Sequence, residues 1–327
     1  MTSSEVHGHL HQQHGHGHGH DHAHGQAGAD AGDEAALAEL LDLDAEVLRD
    51  QLSDVTAWVD GLAGGLGARR ILDLGCGTGT GTLALLRRAA DAEVTSVDGS
   101  AYMLDRLREK ARGLGVDARV RTVQADLDAP WPDFGAVDVV WASAFMHHLA
   151  DPERGLRQLF AALRPGGLLA VIEMDGFPRF LPEVLDTGID SDTGGGADSD
   201  TGAGTGTTGE RPGLEERCHA ALADVRGEQM PHLGADWGVL LSRAGFVVEQ
   251  NRTFAIDLRP RDADHAAVGR YAQATLGRMR SRLEGLVSGE DLAALDLLLD
   301  TDRPESLTRR TDLVVRANRP AWAARRP

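Results

Sequence analysis

The sequence predicts an α/β protein built on a doubly wound, mostly parallel seven-stranded sheet with helical additions at both ends. Between residues 69 and 175, short apolar runs alternate with segments whose apolar residues recur every three or four positions. Strands that alternate with helices form parallel sheets, because each parallel pair needs a long crossover. Two further apolar runs near the C-terminus, at 246–256 and 312–317, predict the remaining strands.

The N-terminal 33 residues have a composition that cannot build a core. Nine histidines alternate mostly with Gly, Ala, Gln and Asp: His7, His9, His11, His14, His16, His18, His20, His22 and His24. We therefore expect residues 1–33 to be a disordered tail. Imidazoles at this density bind divalent metals, so the tail is a candidate metal site; the alternative is adventitious affinity without a function.

Residues 34–66 predict N-terminal helices that precede the sheet. Leu48, Leu52, Val55 and Val59 follow one another at spacings of three and four, which is typical of a helix with one buried face. A glycine-rich stretch at 61–67 ends the pattern.

The core is predicted at residues 67–175. Its five strands are expected at 71–74, 93–97, 120–123, 137–141 and 168–172. The helix before the fifth strand has a clear start, with Asp151 at the N-cap and Pro152 in the first turn. The run 164–167, Arg-Pro-Gly-Gly, is expected to end that helix.

The remainder of the chain divides into a low-complexity insertion and a helical region. Residues 176–213 are rich in Gly, Asp and Thr and are expected to be a flexible insertion. Residues 214–327 are expected to supply lid helices and the two strands that complete the sheet.

The segment with the clearest chemical meaning follows the first strand. It reads Leu72-Asp73-Leu74-Gly75-Cys76-Gly77-Thr78-Gly79, a turn with three glycines that leads into a helix. Glycine permits positive φ, and a helix start offers free N–H groups, so an adenosine-containing cofactor is the expected ligand. The dinucleotide fingerprint G-x-G-x-x-G fails, because Thr80 and Thr82 stand where its last glycine would be.

This turn resembles the first motif, D/E-x-G-x-G-x-G, of the class I S-adenosylmethionine (SAM)-dependent methyltransferases. Four later segments resemble that family in order: Asp98-Gly99-Ser100-Ala101-Tyr102-Met103-Leu104, Gln124-Ala125-Asp126-Leu127, Trp141-Ala142-Ser143-Ala144-Phe145-Met146-His147-His148-Leu149 and Leu163-Arg164-Pro165-Gly166-Gly167-Leu168-Leu169. The resemblance covers residues 69–175 and implies a Rossmann-like core, SAM as cofactor and methyl transfer to a small-molecule acceptor.

The resemblance also implies which residues bind the cofactor. They are Asp73, Gly75, Cys76, Gly77, Thr78, Gly79, Asp98, Gly99, Met103, Asp126, Leu127 and Ala142. In the family, the acidic residue at position 98 accepts hydrogen bonds from the ribose hydroxyls, and Asp126 contacts the adenine amino group. Met103 packs near the adenine, and Asp73 helps to place the methionine amino group.

A general base is needed only if the acceptor must lose a proton. His147 and His148 are the nearest candidates, because they follow the fourth strand and histidine takes up protons near neutral pH. The alternative is that this pair only shapes the pocket. Weaker candidates are Glu173, Asp175, His219, His232 and Tyr271. Trp58 either closes over the cofactor or packs on a helix face.

Composition restricts the function classes. The net charge of −18 would repel a phosphate backbone, which disfavours a nucleic-acid substrate. No apolar run suggests a membrane helix, no secretory signal is evident, and two cysteines fit neither a disulfide framework nor a CxxC pair, so we expect a cytoplasmic protein. The open alternatives are an NAD(P)-dependent oxidoreductase and a non-catalytic SAM-fold protein with a metal-binding tail.

Overall fold

The computed structural model describes residues 31–65, 69–182, 211–259 and 264–327. The histidines of the predicted tail and most of the predicted 176–213 insertion lie outside these ranges. Among the described residues, no helix is both long enough and apolar enough to cross a lipid bilayer.

The fold is the predicted α/β class, with one seven-stranded, mostly parallel sheet. The strands are β1 (Arg70–Leu74), β2 (Glu93–Asp98), β3 (Val120–Gln124), β4 (Val137–Ser143), β5 (Leu163–Ile172), β6 (Val247–Leu258) and β7 (Val315–Arg325). They are ordered β3-β2-β1-β4-β5-β7-β6, and β7 runs antiparallel to both of its neighbours. The chain leaves β1 toward β2 on one side and later returns to β4 on the other, so a ligand crevice is expected at the carboxyl end of β1.

Ten helices surround the sheet in the described part of the chain. They are α1 (Ala31–Val47), α2 (Arg49–Ala63), α3 (Thr80–Arg88), α4 (Ala101–Gly113), α5 (Pro152–Ala162), α6 (Leu214–Ala221), α7 (Ala223–Gln229), α8 (Trp237–Arg243), α9 (His265–Arg280) and α10 (Gly289–Leu299). The predicted start of α5 is confirmed, because the Asp151 side chain accepts a hydrogen bond from the Arg154 amide.

Two strand boundaries differ from the sequence prediction. β5 begins at Leu163 instead of residue 168, because Leu163 pairs with Val137 and the strand passes through the Pro-Gly-Gly run with a register shift. β7 begins at Val315 and runs to Arg325, well past the predicted end at 317. Its alanine-rich second half has little strand propensity, but pairing on both edges outweighs that weak local preference.

Four apolar clusters hold the described elements together, and the smallest joins α3 to α4 through Leu83, Leu104 and Leu107. α5 and α8 pack on one face of the sheet, and α2 and α3 pack on the other. The third cluster joins α6, α9 and α10 to the start of the chain through Leu43 and Leu48. Phe180 is fully buried in this third cluster and its ring meets Tyr271 edge-on, so the described residues 176–182 pack on the body of the protein.

Candidate active site

The glycine turn occupies the carboxyl end of β1. Gly75, Gly77 and Gly79 all have positive φ, at 62°, 51° and 85°. A Cβ at Gly75 would stand 2.2 Å from Phe145, and one at Gly79 would stand 2.1 Å from Leu107. These two glycines are therefore required by close packing as well as by backbone conformation. Gly77 has more space, since its Cβ would meet only a methyl of Leu41, at 3.1 Å.

The two residues between the glycines are both buried. Burial raises the pKa of the Cys76 thiol well above its ordinary value, so it is an inert filler and not a nucleophile. Thr78 donates a hydrogen bond from its hydroxyl to Asp42 of α1, over 2.6 Å. Helix α1 therefore contacts the glycine turn through this hydrogen bond.

Asp73 supports the turn from within β1. Its carboxylate accepts a hydrogen bond of 2.5 Å from the Thr82 hydroxyl, which lies 2.7 Å from the Ser96 hydroxyl. The side chain is 2% exposed, and this burial raises the pKa of Asp73 from 3.8 to about 7. Asp73 therefore ties β1 to the start of α3 and to β2.

Asp98 lies at the end of β2 and faces the glycine turn. One carboxylate oxygen accepts from the Gly77 amide at 2.8 Å, and the other accepts from the Ser100 amide at 2.9 Å. Burial raises the pKa of Asp98, although these amides favour its charged form. Each carboxylate oxygen has a second lone pair, so this half-buried group retains acceptor capacity for hydroxyl donors.

The remaining predicted cofactor residues lie at neighbouring strand ends, except Met103, which lies in the first turn of α4. Gly99 follows Asp98, and its carbonyl accepts from the Gln124 side chain at 3.0 Å. Met103, Leu127 and Ala142 are buried. Asp126 is exposed, and its carboxylate accepts from the Asp128 amide at 2.8 Å. The structure therefore collects the predicted residues at the carboxyl ends of the first four strands and at the start of α4.

The two histidines after β4 have different surroundings. His147 Nδ1 lies 2.5 Å from one oxygen of Glu173, and the other oxygen accepts from the Met146 amide at 2.7 Å. Both side chains are 1% exposed. His147 Nε2 is buried and has no hydrogen-bond partner in the part of the chain that the structure describes. In His147, therefore, Nδ1 is held by the Glu173 carboxylate and Nε2 is free to bind another group.

His148 is exposed and stacks at an angle on His147, with 4.2 Å between ring centroids. Partial desolvation of its ring by the surrounding protein, and then the neighbouring His147, lower the pKa of His148 to about 4. It is therefore a neutral imidazole at pH 7 and a weaker base than an ordinary histidine.

The sequence did not point to the acidic residues of α1, yet they contact the site. Glu34 accepts from the Ser100 hydroxyl at 2.6 Å, and Asp42 accepts from Thr78 and Lys110. Burial alone would raise the pKa of Asp42, but the hydrogen bonds from Lys110 and Thr78 lower it below its ordinary value. No local pattern separates these acids from a solvated helix face; only the packing of α1 assigns them a role.

The weaker candidates from the sequence are dispersed. Asp175 accepts from the Asn318 amide group at 2.8 Å, and His219 lies buried 3.9 Å from Glu215, away from the strand ends. Trp58 donates to Gln250 and packs against Phe254 of β6, so it does not cover the glycine turn.

Tyr271 of α9 contacts Asp44 of α1. His232 is half-buried on the segment between α7 and α8. No cluster of His, Cys, Asp and Glu suited to a metal occurs among the described residues. The metal prediction for the histidine-rich tail lies outside them.

The core of the chain is similar in sequence to known methyltransferases. Residues 72–171 match the family model of the methyltransferase domain. The demethylmenaquinone methyltransferase of Thermus thermophilus is 42% identical over 112 residues, which are 34% of this chain and 50% of that protein. The trans-aconitate 2-methyltransferase of Azoarcus sp. is 40% identical over 104 residues, which are 32% of this chain and 38% of that protein.

Among solved structures, a SAM-dependent methyltransferase from Thiobacillus denitrificans in complex with S-adenosyl-L-homocysteine aligns with a TM-score of 0.44 at 18% identity, covering 83% of this chain and 90% of that one. The chain spans half or less of the length of the curated relatives that it matches first.

Proposed function

We propose that this chain, whose residues 72–171 match the methyltransferase-domain model, is a class I SAM-dependent methyltransferase that transfers a methyl group from SAM to a small-molecule acceptor. The observation that carries the proposal is the Asp98 carboxylate, which is fixed against the glycine turn by Gly77 and Ser100 yet keeps acceptor capacity. A strand-end carboxylate beside a glycine turn is the arrangement that binds the ribose of an adenosine cofactor.

The residues at this edge fit such a cofactor. Asp98 would accept from the ribose hydroxyls, and the buried side chains of Met103 and Leu127 would bound the adenine. Asp126 is exposed enough to accept from the adenine amino group. An ammonium group bound near Asp73 would favour its ionised form and oppose the effect of burial on its pKa.

SAM, when bound, supplies an electrophilic methyl group, so the protein need only orient the acceptor and exclude water. Well-oriented intramolecular reactions reach effective molarities of roughly 10⁵–10⁸ M, so positioning alone supplies a large part of the rate.

For an acceptor that must lose a proton, His147 is the base that the geometry favours. In the tautomer that donates from Nδ1 to Glu173, the Nε2 lone pair is free to accept a proton. The Glu173 carboxylate would hold the ring and stabilise the imidazolium that forms. His148 serves less well, because its pKa is lowered to about 4.

Several features support a small acceptor and a cytoplasmic location. The names of two relatives give demethylmenaquinone and trans-aconitate as their substrates, both small molecules. The net charge of −18 disfavours a nucleic acid.

Cys76 and Cys218 are both free and buried, as in proteins of reducing compartments.

Calorimetric titration with S-adenosyl-L-homocysteine, NAD and NADP tests the cofactor assignment. We expect saturable binding of S-adenosyl-L-homocysteine, no binding of either nicotinamide, and at least about tenfold weaker binding by Asp98→Ala, since each lost hydrogen bond to a charged group is worth about 1.5–3 kcal/mol. Asp105→Ala, which removes an exposed carboxylate of α4, is the matched control and should bind normally. Binding of a nicotinamide in place of S-adenosyl-L-homocysteine would make the chain an oxidoreductase.

A further inference from the structure

A second polar cluster lies where α1 meets α9 and β7. Asp44 of α1 accepts hydrogen bonds on one oxygen from the Tyr271 hydroxyl, at 2.5 Å, and from one terminal nitrogen of Arg319, at 3.2 Å. We call Asp44, Tyr271 and Arg319 the Asp44 cluster. Neither the glycine turn nor the His147–Glu173 pair includes any of these residues.

The Asp44 cluster lies at the same edge of the sheet as the histidine pair. Arg319 precedes Pro320 in β7, and the Pro320 carbonyl accepts a hydrogen bond of 2.8 Å from the Glu173 amide. On α1, Asp42 contacts Thr78 of the glycine turn, whereas Asp44 contacts Arg319. Helix α1 therefore extends from the cofactor side of the site to a buried arginine near Glu173, the residue that follows β5.

The hydrogen bonding of Arg319 is incomplete. The residue is only 8% exposed, and its second terminal nitrogen, Nη1, is buried without a hydrogen-bond partner among the described residues. Guanidinium carries five N–H donors, and a buried unpaired donor on a charged group is costly. Asp44 accepts only from the other terminal nitrogen, Nη2, and so leaves Nη1 unpaired. Its side chain is 35% exposed, so the cluster is open to solvent on the Asp44 side.

We propose that Arg319, held in place through Asp44 and Tyr271, binds a carboxylate of the acceptor, an inference that rests on the proposed methyl transfer and narrows its substrate class. The planar guanidinium fork matches the two oxygens of a carboxylate, and such charge-assisted pairs are about twice as strong as neutral ones. Burial, and then Asp44, raise the pKa of Tyr271, so the phenol stays protonated and keeps its hydrogen bond to Asp44. The whole chain is strongly acidic and repels anions in general, so a carboxylate would bind only where a local cation such as Arg319 offsets that repulsion.

If Arg319 has a purely structural role, Arg319→Lys should not weaken carboxylate binding. Arg319 would then only tie α1 to β7, as Arg270 of α9 ties itself to Glu46 of α1 on the exposed side, at 3.2 Å. Arg270→Gln is therefore the matched control: it removes an arginine–carboxylate pair to the same helix and leaves the Asp44 cluster intact.

The test is calorimetric titration of the full chain, saturated with S-adenosyl-L-homocysteine, with succinate and citrate as probes and with succinamide and inorganic phosphate as comparisons. We expect saturable binding of at least one carboxylate and no binding of succinamide. Arg319→Lys, which keeps the charge but loses the fork, should weaken carboxylate binding by about tenfold or more. Tyr271→Phe should weaken it by a smaller factor, and Arg270→Gln should leave it unchanged.

The affinity for S-adenosyl-L-homocysteine is the check on folding and should stay within about twofold of wild type in every variant, because none of these residues contacts the glycine turn. Failure of the wild type to bind S-adenosyl-L-homocysteine would refute the proposed function itself. Three results, each with normal cofactor binding, would overturn only the role assigned to Arg319. They are no carboxylate binding, binding of phosphate alone, and equal carboxylate affinity in Arg319→Lys.

Discussion

Replacement of Gly79 by alanine tests whether packing against α4, and not only backbone conformation, fixes the glycine turn. Gly79 has φ at 85°, which costs an L-residue such as alanine about 1–2 kcal/mol. Its new Cβ would lie 2.1 Å from one methyl and 2.9 Å from Cγ of Leu107, which is fully buried and cannot move aside freely. Overpacking of this kind costs about 1–3 kcal/mol. We therefore expect Gly79→Ala to lower the free energy of unfolding by about 2–5 kcal/mol.

A double-mutant cycle separates the two contributions. Leu107→Ala alone should cost about 2–5 kcal/mol through the cavity it leaves. In the double variant the methyl group added at position 79 enters space that the Leu107 side chain vacates, so the combined loss should fall short of the sum by about 1–3 kcal/mol.

Urea denaturation followed by circular dichroism measures each free energy. Gly61→Ala is the control, because it lies in α2 with no atom within 4 Å of the added Cβ; it should stabilise the protein by up to about 1 kcal/mol. Additive losses, or a loss below about 1 kcal/mol for Gly79→Ala, would refute the packing argument.

Two further predictions concern protonation and catalysis. Because burial raises the pKa of Asp73 from 3.8 to about 7, its contribution to stability is complete below pH 3.8 and is lost as the pH rises through 7; urea denaturation between pH 4 and 7.5 should show a decline that Asp73→Asn flattens. A decline of equal size in Asp73→Asn would assign it to other groups. Once a screen with labelled SAM has supplied an acceptor that must lose a proton, His147→Gln should lower kcat by about 10²–10⁴-fold without weakening cofactor binding, and His148→Gln should lower it less. Equal effects of the two substitutions would argue that the pair only shapes the pocket.

The sequence alone was sufficient for the fold class, because that information is local. The change from runs of apolar residues to spacings of three and four identifies strands and helices within a few residues. The glycines of the turn and the Asp151-Pro152 helix start are likewise read from neighbouring positions. The motif order after β1, β2 and β4 also placed Asp98 and the histidine pair at strand ends, where the sheet topology brings them to one edge. The boundaries of β5 and β7 could not be read this way, since they depend on pairing with distant strands.

Which side chains meet depends on how the chain folds, because most contacts of the site join residues that are far apart in the sequence. Glu173 ranked as a weak candidate in the sequence, and only the pairing of β4 with β5 brings it against His147. Asp42 and Asp44 look like ordinary charged residues of a helix. However, Asp42 contacts the glycine turn, and Asp44 contacts Arg319, which is 275 positions away in the chain. A solvated carboxylate and a buried hydrogen-bonding one have the same local sequence; burial and partners distinguish them, and both arise only when the chain folds.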